Sequence, residues 1–172
     1  MKKLLFVAGV ASAVLATPAV AEDTAAPTGA RVEALIGFDN VSIGGFDKSG
    51  ALFGLGAGYD FAINNSVSLG LDGEVSDSTT KFGDAQSGRD LYVGGRVSYA
   101  LNPKASLYLK AGYTNARIIV DDDGANGDGF RVGLGGQLIV GGKAYVGAEY
   151  RYSNYEGDFS RHQVAATIGT RF

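Results

Sequence analysis

From Ala30 to the carboxy-terminal Phe172, apolar and polar side chains alternate with a period of two, and no window repeats apolar residues at helical spacing over several turns. Successive side chains of a strand point to opposite faces, so the pattern predicts an all-β domain with one apolar face and one small or polar face. With the apolar set first, the predicted first strand reads Val32, Ala34, Ile36 and Phe38 against Arg31, Glu33, Leu35 and Gly37. The second reads Phe53, Leu55, Ala57, Tyr59 and Phe61 against Leu52, Gly54, Gly56, Gly58 and Asp60, and the third Val67, Leu69, Leu71 and Val75 against Ser68, Gly70, Asp72 and Glu74. In the fourth, Leu91, Val93, Val97 and Tyr99 oppose Asp90, Tyr92, Gly94, Arg96 and Ser98; in the fifth, Leu107, Leu109, Ala111 and Tyr113 oppose Tyr108, Lys110, Gly112 and Thr114, with the register lost beyond Asn115. The sixth sets Phe130, Val132, Leu134 and Leu138 against Arg131, Gly133, Gly135 and Gln137, and the seventh sets Val146, Ala148, Tyr150 and Tyr152 against Tyr145, Gly147, Glu149 and Arg151. The eighth closes the chain, with Val164, Ala166, Ile168, Thr170 and Phe172 on one face and Gln163, Ala165, Thr167, Gly169 and Arg171 on the other.

The predicted connections alternate in length. Tight turns fall at Ile63-Asn64-Asn65, Leu101 to Lys104 and Val140 to Lys143, and longer polar loops at Asp39 to Gly50, Ser76 to Arg89, Ile119 to Gly129 and Ser153 to Arg161. Short and long connections then lie on opposite rims of a closed sheet.

Charge decides which face is the interior. Parity puts Arg31, Arg96, Lys110, Arg131, Arg151 and Arg171 on the same face as Glu33, Asp60, Asp72, Glu74, Asp90 and Glu149, together with Gly37, Gly54, Gly56, Gly58, Gly70, Gly94, Gly112, Gly133, Gly135, Gly147 and Gly169. An eight-stranded barrel has an interior only just wide enough for side chains, so glycines beside Arg and Tyr suit a crowded polar lumen, and the bulky apolar face is left for lipid. Tyr59, Phe61, Tyr99 and Phe172 towards the short-turn rim, and Phe38, Phe130, Tyr150 and Tyr152 towards the long-loop rim, fall where aromatic girdles sit.

The start of the chain adds a location. Lys2 and Lys3 precede the apolar run Leu4 to Leu15, and Ala19-Val20-Ala21 has the small residues of a signal-peptidase site, so residues 1–21 are expected to be a cleaved signal peptide. Residues 22–29 are expected to be a short flexible lead-in, and 30–172 the barrel domain. Cleavage removes two lysines and no acids, moving the formal charge from −3 to −5, which disfavours nucleic acid as a partner. With no Cys, neither a disulfide framework nor a thiolate metal site is available.

Taken together, the signal peptide, eight alternating strands, alternating turn lengths and terminal Phe172 resemble the small eight-stranded outer-membrane barrels that include the OmpA-type transmembrane domain and the opacity-type surface proteins. The resemblance covers residues 30–172. It implies an eight-stranded antiparallel up-and-down transmembrane β-barrel, an insertion signal in the closing strand ending at Phe172, and recognition of that strand by barrel-assembly machinery. Short turns and both termini would be periplasmic and the long loops extracellular. Implied partners are outer-membrane lipid and lipopolysaccharide, around a monomer. The chain departs from full-length OmpA-type proteins by ending at the barrel, so their peptidoglycan-binding domain is not expected.

Catalytic, cofactor and metal motifs are not found. Lipid A enzymes of this membrane carry a His-x-Ser dyad or another catalytic histidine, whereas His162, the lone histidine, is followed by Gln163-Val164. The acidic segment Asp121 to Gly129 lacks EF-hand spacing, leaving at most weak divalent-cation association. Gly54 to Gly58 is a strand interior with no following helix to hold a phosphate. The sequence therefore predicts a non-enzymatic envelope or surface-display barrel with a side-chain-plugged lumen. The alternatives are a narrow pore and a soluble periplasmic ligand-binding barrel.

Overall fold

In the computed structural model, which describes residues 25–82, 85–120, 123–156 and 159–172, nine antiparallel strands are found among the described residues. They are β1 (Gly29–Ile43), β2 (Phe46–Ala62), β3 (Val67–Ser78), the two-residue β4 (Lys81–Phe82), β5 (Ala85–Asn102), β6 (Ala105–Val120), β7 (Asp123–Gly141), β8 (Ala144–Tyr155) and β9 (Phe159–Arg171). The predicted signal peptide, residues 1–21, lies outside the described residues. Each of the eight long strands pairs with its chain neighbour; β3 pairs with β5 past β4, and β1 pairs with β9 from Arg31 opposite Arg171 to Ile43 opposite Phe159. The ladder is thus a closed eight-stranded barrel, with β4 a small addition to the end of β5.

Its faces sort as the period-two pattern requires. Ile36 (68% exposed), Phe38 (76%), Leu55, Leu71, Val93, Leu134 and Ile168 point outward, while Arg31, Arg96, Arg131 and Arg151 are each at most 2% exposed inside. A water-soluble barrel has the opposite arrangement, so the soluble periplasmic alternative is set aside. Burying those arginines with carboxylates while exposing leucine is stable only where the outside is hydrocarbon, in which a closed ladder also leaves no backbone donor unpaired.

The rims differ. At the short-turn rim, Asn64 Oδ1 accepts the amides of Ser66 and Val67, both at 2.8 Å, and Asn102 Oδ1 those of Lys104 and Ala105, both at 2.9 Å. These side chains take up backbone donors that such tight reversals would otherwise strand. At the other rim the sequence-based loops need correction. Asp39 to Gly50 is a continuous hairpin turning on Gly44 (φ +56°) and Gly45 (φ +86°), the two positive dihedrals that a twisted two-residue hairpin turn demands. Ile119 to Gly129 is likewise mostly ladder, with Thr114 opposite Gly129 and Val120 opposite Asp123. Ser76 to Arg89 and Ser153 to Arg161 also carry strand beyond the apolar band. A membrane-spanning strand needs only about 9–11 residues. Strands of 15–19 residues, as in β1, β2, β5, β6 and β7, therefore project past the lipid as paired hairpins.

Of the residues ahead of β1, 25–28 are described and lie against the short-turn rim: the Ala26 amide donates to the Asn65 carbonyl at 2.8 Å, and Ala26 is buried without belonging to any strand.

Candidate functional site

The candidate site is the lumen. Arg31, Glu33, Asp60, Asp72, Glu74, Asp90, Arg96, Lys110, Arg131, Glu149 and Arg151 all line it and are buried, and Arg171 stands half-buried at its short-turn mouth. Two ionisable residues that the sequence reading assigned to loops join them, Asp39 and Arg161. Among the described residues the lumen thus holds seven bases (Arg31, Arg96, Lys110, Arg131, Arg151, Arg161, Arg171) and seven acids (Glu33, Asp39, Asp60, Asp72, Glu74, Asp90, Glu149), a formally neutral set.

The set is layered along the barrel. Nearest the short turns, Arg171 Nη1 donates to Asp60 Oδ2 at 2.5 Å, and Arg31 reaches both Asp60 (Nε, 3.1 Å) and Asp72 (Nη2, 2.5 Å). At mid-height Glu74 is held by three cations: Arg151 Nη1 lies 2.6 Å from each of its carboxylate oxygens, Arg131 Nη1 3.2 Å from Oε1, and Lys110 Nζ 3.4 Å from Oε2. Lys110 also contacts Glu149 at 2.8 Å, and the Tyr108 hydroxyl donates to Glu149 at the same distance. Above them Asp90 accepts from Arg131 (2.5 Å), Arg161 (3.2 Å), Thr114 (2.6 Å) and Tyr155 (2.7 Å). Arg161 in turn donates to Asp39 through Nε (3.1 Å) and Nη2 (2.5 Å). Val41, Ala116, Tyr155 and Phe159 then close the long-hairpin mouth, the last two rings stacked at 4.6 Å.

The central bonds of this network cross the lumen rather than join neighbouring strands. Going round the ring, β3 with Glu74 and β8 with Arg151 are four strands apart in either direction, as are β5 with Asp90 and β9 with Arg161. In so narrow a cylinder a guanidinium spans the bore as readily as it reaches sideways. Arg96, moreover, has no carboxylate within salt-bridge distance among the described residues. Its guanidinium lies 3.6 Å above the Tyr108 ring and donates to Ser98 Oγ at 3.1 Å.

The lumen tyrosines show what the glycines are for. A Cβ at Gly169 would fall 2.5 Å from the Tyr145 ring and hydroxyl, and the Tyr108 ring leaves no more room at Gly135. Removing those side chains lets a tyrosine lie flat over the neighbouring strand and reach the next one, as where Tyr145 of β8 passes Gly169 of β9 and donates to Glu33 of β1 at 2.8 Å.

Outside, His162 and Ser160 share the outer face of β9, as positions two apart in a strand must. The contact His162 makes is with Tyr150, whose hydroxyl lies 2.7 Å from Nδ1, and its ring stands 4.9 Å from Tyr152. No Ser–His hydrogen bond occurs among the described residues. In the acidic segment Asp121 and Asp122 lie outside the described residues, while Asp128 accepts from Tyr113 (2.5 Å) and Asn115 (2.6 Å) on the outer face of the β6–β7 hairpin. Phe172 is exposed at the outer edge of the short-turn rim, its amide donating to the Ala30 carbonyl at 2.8 Å.

No curated protein matches this sequence. Among solved structures, Neisserial surface protein A is similar with a TM-score of 0.63 and 17% identity, covering 84% of this chain and 98% of that one. Ail, the attachment invasion locus protein of Yersinia pestis, gives 0.59 and 17% over 84% and 99%, and has also been solved with the heparin analogue sucrose octasulfate. The outer membrane enzyme PagL gives 0.51 and 15% over 83% and 99%, so the fold by itself does not decide for or against catalysis. At these identities the structures establish the shared barrel. A model of the outer membrane protein beta-barrel domain matches residues 6–172, and with that match this chain belongs to the outer-membrane β-barrel family.

Proposed function

We propose that this outer-membrane barrel serves the envelope structurally and displays its long hairpins at the cell surface, with a lumen plugged by its own side chains. The observation that carries this reading is the trans-lumen network centred on Glu74 of β3, in which one carboxylate is shared by Arg151, Arg131 and Lys110 from β8, β7 and β6. A solute passing through would have to break several buried, charge-assisted bonds at once, each exposing an unpaired charge in a low-dielectric bore. Surface display is supported by the paired strand that extends beyond the apolar band on one rim only, and by analogy with Ail, whose name and heparin-analogue complex describe a surface binder. In this reading the short turns and both termini are periplasmic, the hairpins extracellular, outer-membrane lipid and lipopolysaccharide surround a monomer, and the strand ending at Phe172 is read by the assembly machinery.

A narrow pore is the second reading, favoured by lumen atoms without a protein partner, among them Arg151 Nε and Nη2, Arg96 Nη2 and both polar atoms of Gln163, which water would have to satisfy. Planar-bilayer recording of the purified protein separates the two. The plugged barrel gives no sustained conductance, and Glu74→Ala does not create a reproducible step of fixed size. Long-lived unitary steps from the parent protein, altered by the same substitution, would establish the pore instead.

A further inference from the structure

The chain ahead of β1 turns into the barrel mouth. Gly29 takes φ +91°, a conformation that a residue with a Cβ adopts only at a cost, and a Cβ there would overlap the carbonyl oxygen of Phe172. This glycine redirects the backbone from the barrel wall across its end. Ala26 then donates its amide to Asn65 in the β2–β3 turn at 2.8 Å, and the Thr28 carbonyl accepts from Arg171 Nη1 at 3.4 Å. The segment is therefore anchored at two points of the rim. Pro27 between them lacks an amide donor that the mouth would otherwise have to satisfy, and it holds Ala26 extended.

Between the segment and the β5–β6 turn, at Asn102 to Lys104, lies a cavity of about 170 Å³ whose inner wall is Ser106, Gln137, Tyr145 and Arg171. Arg171 belongs to both structures: the guanidinium that holds Thr28 also binds Asp60 at 2.5 Å and reaches Gln137 at 3.4 Å. Strap and lowest lumen charge layer thus share one cation.

We propose that residues 25–28 form a strap, turned at Gly29 and latched by Arg171, that seals the short-turn end of the lumen. The barrel is then closed by two separable devices, the side-chain network at mid-height and a main-chain lid at one mouth. The lid goes beyond the plugged-lumen reading and stands or falls on access to the cavity, whatever the conductance.

The absence of cysteine from the chain lets single thiols report on that access. Ser106→Cys places a thiol under the strap, and Ser76→Cys a control in the lumen at another level, where the serine Oγ is buried without a hydrogen-bond partner. Each is made in the full chain and in a variant lacking residues 25–28, folded in detergent, checked for heat-modifiable mobility, and reacted with a charged methanethiosulfonate. The expected result is that removing the strap speeds modification of Ser106→Cys at least tenfold and leaves Ser76→Cys unchanged. In the folded full chain, Ala26→Cys with Asn65→Cys is expected to oxidise to a disulfide and keep a Ser106→Cys reporter in the protected state. Equal Ser106→Cys rates with and without the strap would overturn the proposal. So would acceleration of both reporters together, which marks a loosened barrel, or failure of the 26–65 crosslink to form.

Discussion

Glu74 and Arg96 are both buried in the same lumen, yet they are satisfied in different ways. Glu74 is one carboxylate met by three cations, from β6, β7 and β8, whereas Arg96 rests on the face of Tyr108 with one serine and no carboxylate partner. A buried charge shared by several partners weakens the pairing of all of them when it goes. A cation stacked on an aromatic ring and bonded to a neutral hydroxyl leaves little behind. Position in the network, more than burial, should therefore set the cost of each deletion.

The largest effect is expected at the shared acid. Glu74→Ala takes from Arg151 both of its carboxylate hydrogen bonds and from Arg131 and Lys110 one of two carboxylate partners each, leaving them Asp90 and Glu149, and should lower unfolding stability in detergent by about 3–5 kcal/mol, read from urea midpoints followed by gel mobility. A loss near that of Arg96→Ala would remove the distinction between the two sites. The next effect is on the opposite face: Ile168→Arg, exposed to lipid, should cost roughly 2–4 kcal/mol if it sits near midplane, and Thr170→Arg about 0–1 kcal/mol near the rim. Equal insertion yields for both in lipid vesicles would mean that the apolar band is misplaced. Asp39→Asn, which weakens the doubly bonded Arg161 at the long-hairpin mouth, should cost about 1.5–3 kcal/mol by the same urea assay. Arg96→Met retains the packing stem while losing the cation, and should cost no more than about 1–2 kcal/mol. A larger loss there would show that a carboxylate is recruited in solution.

Legibility from sequence followed the membrane. Where one face meets hydrocarbon, a slip of one residue would turn every arginine outward, so alternation from Val32 to Phe38 and from Val164 to Phe172 assigned both faces correctly. Beyond the lipid the outer face meets water, so Asn40, Ser42, Ser160 and His162 break its apolar rhythm while Val41 and Phe159 turn apolar on the buried inner face, and the pattern reads as loop. Asp39 and Arg161 were missed for that reason alone. Asp39 is simply the next step in the series Arg31, Glu33, Leu35, Gly37, and Arg161 precedes Gln163 and Ala165 by the same step. Carrying parity one pair further would have found the Asp39–Arg161 bond, whereas no local pattern could show that Glu74 is met by Arg151 from across the bore. Residues 25–28 have no periodicity at all; what orders them is Gly29 and the rim, both tertiary.

The seam between β1 and β9 joins residues from opposite ends of the domain, Arg31 with Arg171 and Ile43 with Phe159. Until it closes, the sheet has two long edges, and inside hydrocarbon every open edge donor goes unmet. Losing a strand from the finished barrel recreates those edges, so partial unfolding offers no inexpensive route out. The lifetime of the folded protein in a membrane is therefore set by how often that seam opens, and durability there is a matter of rates.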